Sequence, residues 1–271
     1  MAWLWIALLV PLGVLAQAKP VLENTGQPMR VEGRCTDEDM QRFGLTCSAE
    51  DPCTVLLELA AVEPVANRII LSGNLHTSSV TLSSLLLVSE DAGKTWTEPF
   101  ERIPSAALDQ IQFLDYEYGW IGGQLLLTVP KDPFFLLTTD GGKTWRRNPI
   151  FPETRAGAIE RFRFTSRTSG TLWMDRTQAG EAGLRHELYE TLTGGTSWIL
   201  RQASDRPIVT RRPEAAAGNT DWRLRPDAAT RSYRLERRQG DRWQTVASFL
   251  FAAGECKAQE QTPAEPPSTI R

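Results

Sequence analysis

Two eight-residue segments that copy each other constrain this chain more than any other feature. Ser89-Glu90-Asp91-Ala92-Gly93-Lys94-Thr95-Trp96 is matched by Thr138-Thr139-Asp140-Gly141-Gly142-Lys143-Thr144-Trp145, with the two tryptophans 49 residues apart. A worn copy follows at Thr191-Leu192-Thr193-Gly194-Gly195-Thr196-Ser197-Trp198, 53 residues further on. A fourth, Gly240-Asp241-Arg242-Trp243, comes 45 residues after that. A second register keeps step: Trp120 lies 25 residues before Trp145, Trp173 lies 25 before Trp198, and Trp222 lies 21 before Trp243. Between these marks the chain reads as strands. Phe162 and Phe164 alternate with Arg161 and Arg163, the period of two of a half-buried strand. Units of about 50 residues with four short strands each are the size of propeller blades. The expected fold is therefore all-β, a small β-propeller of four-stranded antiparallel blades. Four repeats are assigned over 54–101, 102–150, 151–203 and 204–253, and a fifth, irregular blade drawing on 19–53 stays open.

Each residue of the repeated segment has a structural task. Asp91 and Asp140 can accept hydrogen bonds from the N–H groups of their own turn. Gly93 and Gly142 can supply a positive φ that other residues resist. Trp96 and Trp145 then start an outer strand and bury a large ring. Ser89, Thr95, Thr138 and Thr144 complete the two clear copies, and Gly195 and Trp198 persist in the third. Thr193 and Arg238 stand where the last two copies would have Asp.

On these residues the chain resembles the Asp-box, or BNR, repeats of sialidases and related propellers. The Gly119-Trp120 strand followed by Asp-Gly-Gly-Lys-Thr-Trp is more similar to extracytoplasmic propellers related to the photosystem II assembly factor. That resemblance implies a propeller that binds other proteins and helps to assemble or stabilise extracytoplasmic components. Four repeats are fewer than those relatives carry.

The beginning of the chain reads as an export signal. Residues 1–18 hold an apolar run from Trp3 to Leu15 and end in Ala16-Gln17-Ala18, the form of a secretory signal peptide and its cleavage site. No Lys or Arg precedes the run, so an uncleaved anchor is the alternative. The protein is expected to be exported, periplasmic or secreted, with no transmembrane segment in the mature chain. The four cysteines agree with an oxidising compartment. Of the three possible pairings, Cys47–Cys53 as a local loop and Cys35–Cys256 as a long staple are favoured. Zinc is the rival reading, but the spacings lack a C-x-x-C pair. Residues 19–53 form an extension outside the repeat, with a short helix over 36–45 capped by Thr36. The propeller is expected over 54–256 and a disordered tail over 257–271.

The formal net charge of −3 gives no support to nucleic-acid binding. Charge is uneven, however. Residues 19–60 carry eight acidic and four basic side chains, and residues 201–242 carry eleven arginines against six carboxylates. Arg211, Arg212, Arg223, Arg225, Arg231 and Arg234 form the candidate binding patch, with general arginine usage as the plain alternative. No catalytic residue, metal site or cofactor is assigned. Arg102-Ile103-Pro104 matches a sialidase element but follows the first box instead of preceding it, and is read as accidental. Tyr116 and Tyr118 flank Glu117, but neighbours in a strand face opposite ways and do not make a nucleophile–base pair. His76 reads as a surface residue. The chain is thus expected to be a non-catalytic scaffold for another extracytoplasmic protein, its oligomeric state open. A degenerate sialidase-like propeller that binds or cleaves glycans is the alternative.

Overall fold

The computed structural model describes residues 21–180, 185–209 and 221–258. The export segment read at 1–18, Arg211 and Arg212, and most of the tail lie outside them. No helix among the described residues is long and apolar enough to cross a membrane.

The architecture is all-β, a small propeller whose blades are antiparallel sheets. The first blade holds β2 (Cys53–Val65), β3 (Arg68–His76) and β4 (Thr81–Ser89), with the short β5 (Thr95–Trp96) beyond them. The second is β6 (Ala106–Phe113), β7 (Gly119–Leu126), β8 (Pro130–Thr138) and β9 (Arg146–Pro149), hydrogen-bonded in that order. The third repeats it with β10 (Ala158–Phe164), β11 (Gly170–Asp175), β12 (His186–Thr191) and β13 (Ile199–Ser204). The fourth has three described strands: β14 (Trp222–Asp227), β15 (Ser232–Gln239) and β16 (Arg242–Leu250). The first strands of the blades lie together, β14 against β2, β2 against β6 and β6 against β10. Apolar side chains fill the spaces between blades. Leu57, Leu71, Trp96, Leu235 and Phe249 join the fourth to the first, Ile70, Val88, Ile121 and Leu136 the first to the second, and Trp120, Phe135, Phe164 and Leu172 the second to the third.

The chain ends are woven into this frame. β17 (Ala252–Cys256) follows β16 at once and pairs with β2, so the last strand edges the first sheet. β1 (Leu22–Glu23) pairs with β5, and Met29 bridges in parallel to Phe249 on the open edge of β16. Residues before Cys53 therefore extend blades already formed, β1 beside the β5 of the first and Met29 beside the β16 of the fourth, instead of building a fifth. The helix α1 (Asp37–Phe43) forms for the reason its sequence states: Thr36 and Asp39 close a reciprocal capping box, and Gly44 stops the helix at φ +62°. Both disulfides are present, Cys47–Cys53 and Cys35–Cys256. Cys53 and Cys256 are opposite each other on β2 and β17, yet each is bonded to a different cysteine of the N-terminal segment. The two bridges thus clamp that segment to one strand pair.

Two features of the repeat differ from the sequence reading. Aligned on strand pairing, Gly119 opposite Thr138 corresponds to Gly170 opposite Thr191, so Trp120 corresponds to Thr171 and not to Trp173. The β11–β12 hairpin is two residues longer than β7–β8, and Trp173 sits two positions further along its strand. The two changes cancel, which restores the equal spacing to the next Trp. Trp222 lies on the first described strand of its blade. Likewise Gly240-Asp241 joins β15 to β16, whereas the other three turns follow the third strand of their sheet. Among the described residues, the fourth repeat has no such turn in the corresponding place.

Candidate functional site

Three groups of side chains hold the polar chemistry of this fold, and they differ in how much of it is already consumed. The first is the repeated turn. Asp91 accepts hydrogen bonds from the hydroxyls of Ser89 (2.9 Å) and Thr95 (2.7 Å) and from the N–H groups of Lys94 (3.1 Å) and Thr95 (2.9 Å). Partial burial opposes ionisation, but these donors outweigh it and hold the carboxyl at about 2. Asp140 accepts from Thr138, from the Thr144 N–H and from the Thr144 hydroxyl in the same way. Gly93 and Gly142 stand at φ +93° and +90°, where a side chain would be strained. Trp96 is fully buried and donates its ring N–H to Gly93 O, and Trp145 does the same to Gly142 O. In the third turn the Thr193 hydroxyl takes the place of the carboxylate and accepts the Ser197 N–H at 2.9 Å. Gly195 keeps its φ of +93°, but the ring nitrogen of Trp198 is buried with no hydrogen-bond partner. Each turn is also held from outside: Asn24 donates to Gly93 O, Arg68 to Gly141 O and Trp120 to Gly194 O. These residues brace the blades and present no free reactive group.

The second group was not legible in the sequence. Glu187 on β12 is buried and accepts both oxygens' worth of donors from Arg155 (2.7 and 3.0 Å), with Arg176 at 3.2 Å and the Tyr189 hydroxyl at 2.8 Å. Burial and the neighbouring carboxylate push the Tyr189 hydroxyl well above the usual phenol range. Tyr189 is only 4% exposed, and Phe151 packs on its ring while Arg155 covers Phe151. The network ties β12 and the residue after β11 to the linker from the second blade.

The third group is open. At the end of the blades opposite the repeated turns, α1 and the loops after β3 and β7 enclose a cleft of about 570 Å³. Arg42, Phe43, Glu58, Asn74, His76 and Leu127 are among its walls. Asn74 is 3% exposed, and its amide donates to the Glu58 carboxylate at 3.0 Å. Its carbonyl oxygen is buried without a partner, a state that costs about 1–3 kcal/mol. The cleft depends on a close approach of β3 to β2: a Cβ at Gly73 would lie 1.9 Å from Glu58 O, beside the bulge between Leu59 and Ala61. His76 is half-buried there, not simply a surface residue, with Nδ1 2.8 Å from Thr77 O. Next to Glu58, Asp109 occupies the bulge of β6 and accepts from Gln124 at 2.9 Å. Burial, and then the Glu58 charge, raise its carboxyl to about 6.

The arginine patch is partly spent. Arg223 pairs with Glu236 at 2.6 Å and stacks on Trp243, and Arg234 pairs with Asp227. Arg231 stands at φ +46° in the turn after β14. Arg225, exposed opposite Arg234, has no side-chain partner among the described residues. Glu236 and Asp227 alternate with the arginines along the hairpin, which a count of charges over a window does not reveal. Arg102 of the Arg-Ile-Pro match is held by Glu98 and by Glu32 O, so it braces a loop. Tyr116 is exposed, and Tyr118 lies under the Arg167 guanidinium.

No family model matches this chain, and no curated protein matches it. Among solved structures it is similar to one described as YCF48 bound to D1 peptide, with 18% identity and a TM-score of 0.37. The similarity covers 73% of this chain and 56% of that one, so this chain spans little more than half the length of that protein.

Proposed function

We propose that this protein is an exported, non-catalytic Asp-box propeller that binds another extracytoplasmic protein as an assembly or stability scaffold. The supporting observation is where its unspent polar chemistry lies. The turn carboxylates and the Glu187–Tyr189 network are consumed inside the fold, whereas the cleft at the other end is open and mixes a carboxylate with apolar walls. Pockets of that mixed character are the usual places of recognition. Exposed Leu127 extends the apolar wall outward. Arg225 and Arg231 on the fourth blade are the proposed secondary contacts. The segment 1–18 directs export, and the two disulfides suit the compartment that follows. The test is affinity purification from the native envelope fraction with mass spectrometry. A stoichiometric protein partner is expected, and recovery of none removes the scaffold reading.

One observation favours the glycan alternative enough to require its own test. Tyr189, Glu187, Arg155 and Arg176 form a tyrosine–carboxylate pair beside two guanidiniums. Glycoside cleavage through a tyrosine nucleophile uses such groups, but only where substrate can reach them. Tyr189 is covered. No turnover of fluorogenic sialosides is expected, and turnover that Tyr189→Phe abolishes would reverse the assignment.

A further inference from the structure

Building on the reading of this chain as a protein-binding propeller, we propose that the cleft between α1 and the loops after β3 and β7 receives a lysine or arginine side chain of the partner. The Glu58 carboxylate and the Asn74 amide oxygen are the acceptors for its cationic head. The argument starts from charge. Glu58 lines the cleft, and no Lys or Arg pairs with it among the described residues. The cation within the cleft wall, Arg42, is engaged by Glu38 at 2.8 Å and lies 4.0 Å from Asp39. The Glu58 charge reaches further: it contributes, after burial, to the upward displacement of both the Asp109 carboxyl and the Tyr233 hydroxyl. Glu58 therefore brings to the cleft a negative charge that no Lys or Arg among the described residues pairs, which attracts positively charged groups.

The second, independent observation is Asn74. It lines the cleft, is almost wholly buried, and leaves its carbonyl oxygen without a hydrogen-bond partner while its nitrogen serves Glu58. An amide oxygen next to a carboxylate asks for a group with several donors and no acceptor, and only ammonium and guanidinium heads meet that description among side chains. An anion would face Glu58, and a neutral amide would leave its charge unpaired. The described residues hold no group of three His, Cys, Asp or Glu side chains suited to a metal ion. The walls then select the stem. Phe43, Val80, Leu126 and Leu127 offer apolar surface to a chain of methylenes ending in a charge. His76 Nδ1 is tied to Thr77 O, so the ring is held at the rim.

The experiment titrates the labelled protein with the acetylated, amidated peptide Ala-Ala-Lys-Ala-Ala, followed by amide NMR shifts. Peptides with Arg, norleucine or Glu at the centre serve as comparisons. Saturable shifts at residues 74–80 and 126–128 are expected with Lys or Arg alone. Binding should weaken at least tenfold in Glu58→Gln and with added salt. Leu127→Lys changes a residue that is 50% exposed and should block the peptide by offering its own cation. No saturable shift, equal binding of the norleucine peptide, or unchanged binding in both variants would overturn the proposal. Free butylamine binding as tightly as the peptide would overturn the assignment to a polypeptide. Envelope co-purification with wild type and Glu58→Gln separates the site from the scaffold reading. A partner held equally by both overturns the site alone, whereas peptide binding with no partner recovered supports the site and removes the scaffold.

Discussion

Glu63 is the sharpest place to test the packing of the blades. It stands on β2 opposite Ile70, the position that Gln112 holds on β6 opposite Trp120. Gln112 sutures the second blade to the third with both halves of its amide: Oε1 accepts the Phe164 N–H at 2.8 Å and Nε2 donates to Phe164 O at 2.7 Å. In the first blade Glu63 receives the Phe113 N–H, but a carboxylate has nothing to give back. Burial raises its carboxyl from 4.5 to about 7, against the pull of that N–H. The protonated acid can act as Gln112 does, donating to the Phe113 carbonyl. A folded value above the unfolded one means that the stability it contributes is complete below pH 4.5 and is lost as pH rises through 7. A displacement of about 2.5 units corresponds to about 3 kcal/mol at most at pH 8. Glu63→Gln should therefore leave stability at pH 5 nearly unchanged and raise it at pH 8 by about 2–3 kcal/mol. In a domain of this size that is roughly 5–10 °C in Tm. Asp109 titrates in the same direction at lower pH, so the difference between variant and wild type isolates Glu63. Calorimetry at both pH values, with the disulfides kept intact, measures it. A wild-type Tm that does not fall between pH 5 and 8, or a variant destabilised at both, would refute the reasoning.

Other perturbations follow from the same frame. Asp91→Ala removes four accepted hydrogen bonds from a turn where water can replace some of them, so a loss of about 1–2 kcal/mol is expected in denaturant unfolding. Because Asp91 titrates near 2, its contribution is present above about pH 4 and should vanish only as pH falls through 2. Thr193→Asp restores the carboxylate to the third turn and should stabilise by about 0.5–1 kcal/mol, read from the same unfolding curves. Replacing Cys35 and Cys256 together by Ser opens a loop with a sequence separation of 221 residues. Chain entropy puts the loss near 5 kcal/mol, an upper value, and a midpoint unchanged within error would show the bridge to be idle.

The parts legible in the sequence were those encoded within a few residues. The turns were readable because Asp91 and Asp140 bond to groups no more than four positions away. The helix was readable because Thr36 and Asp39 cap it locally. The tryptophan register misled because periodicity counts residues, whereas a hairpin can lengthen by two and keep the same face outward. The cleft could not be read because its walls come from α1, β2, β3 and two separate loops, and its acceptor pair, Glu58 and Asn74, meets only through strand pairing. The arginine patch was overstated because cross-strand neighbours such as Arg223 and Glu236 are thirteen residues apart in the chain.

The two ends of the blades have opposite chemical economies, and this bears on which end can evolve a partner. At the turn end, the Asp91 and Asp140 carboxylates are committed to their own turns, and the third turn shows what happens when one is lost. Thr193 keeps the Ser197 N–H bond, but Trp198 is left without the acceptor that Trp96 and Trp145 find. Substitution there costs stability before it changes a surface. At the opposite end, the segments that line the cleft are the tip of a helix and two hairpin loops, which carry few of the interblade contacts. Residues such as Leu127 and Arg42 can vary there without disturbing the apolar seams between blades. Glu58 is the exception, since it stands on β2 within the frame and is tied to Asn74. A recognition site with a fixed charged floor and a variable rim is what this division produces, and it places specificity in the loops and affinity for a cation in the sheet.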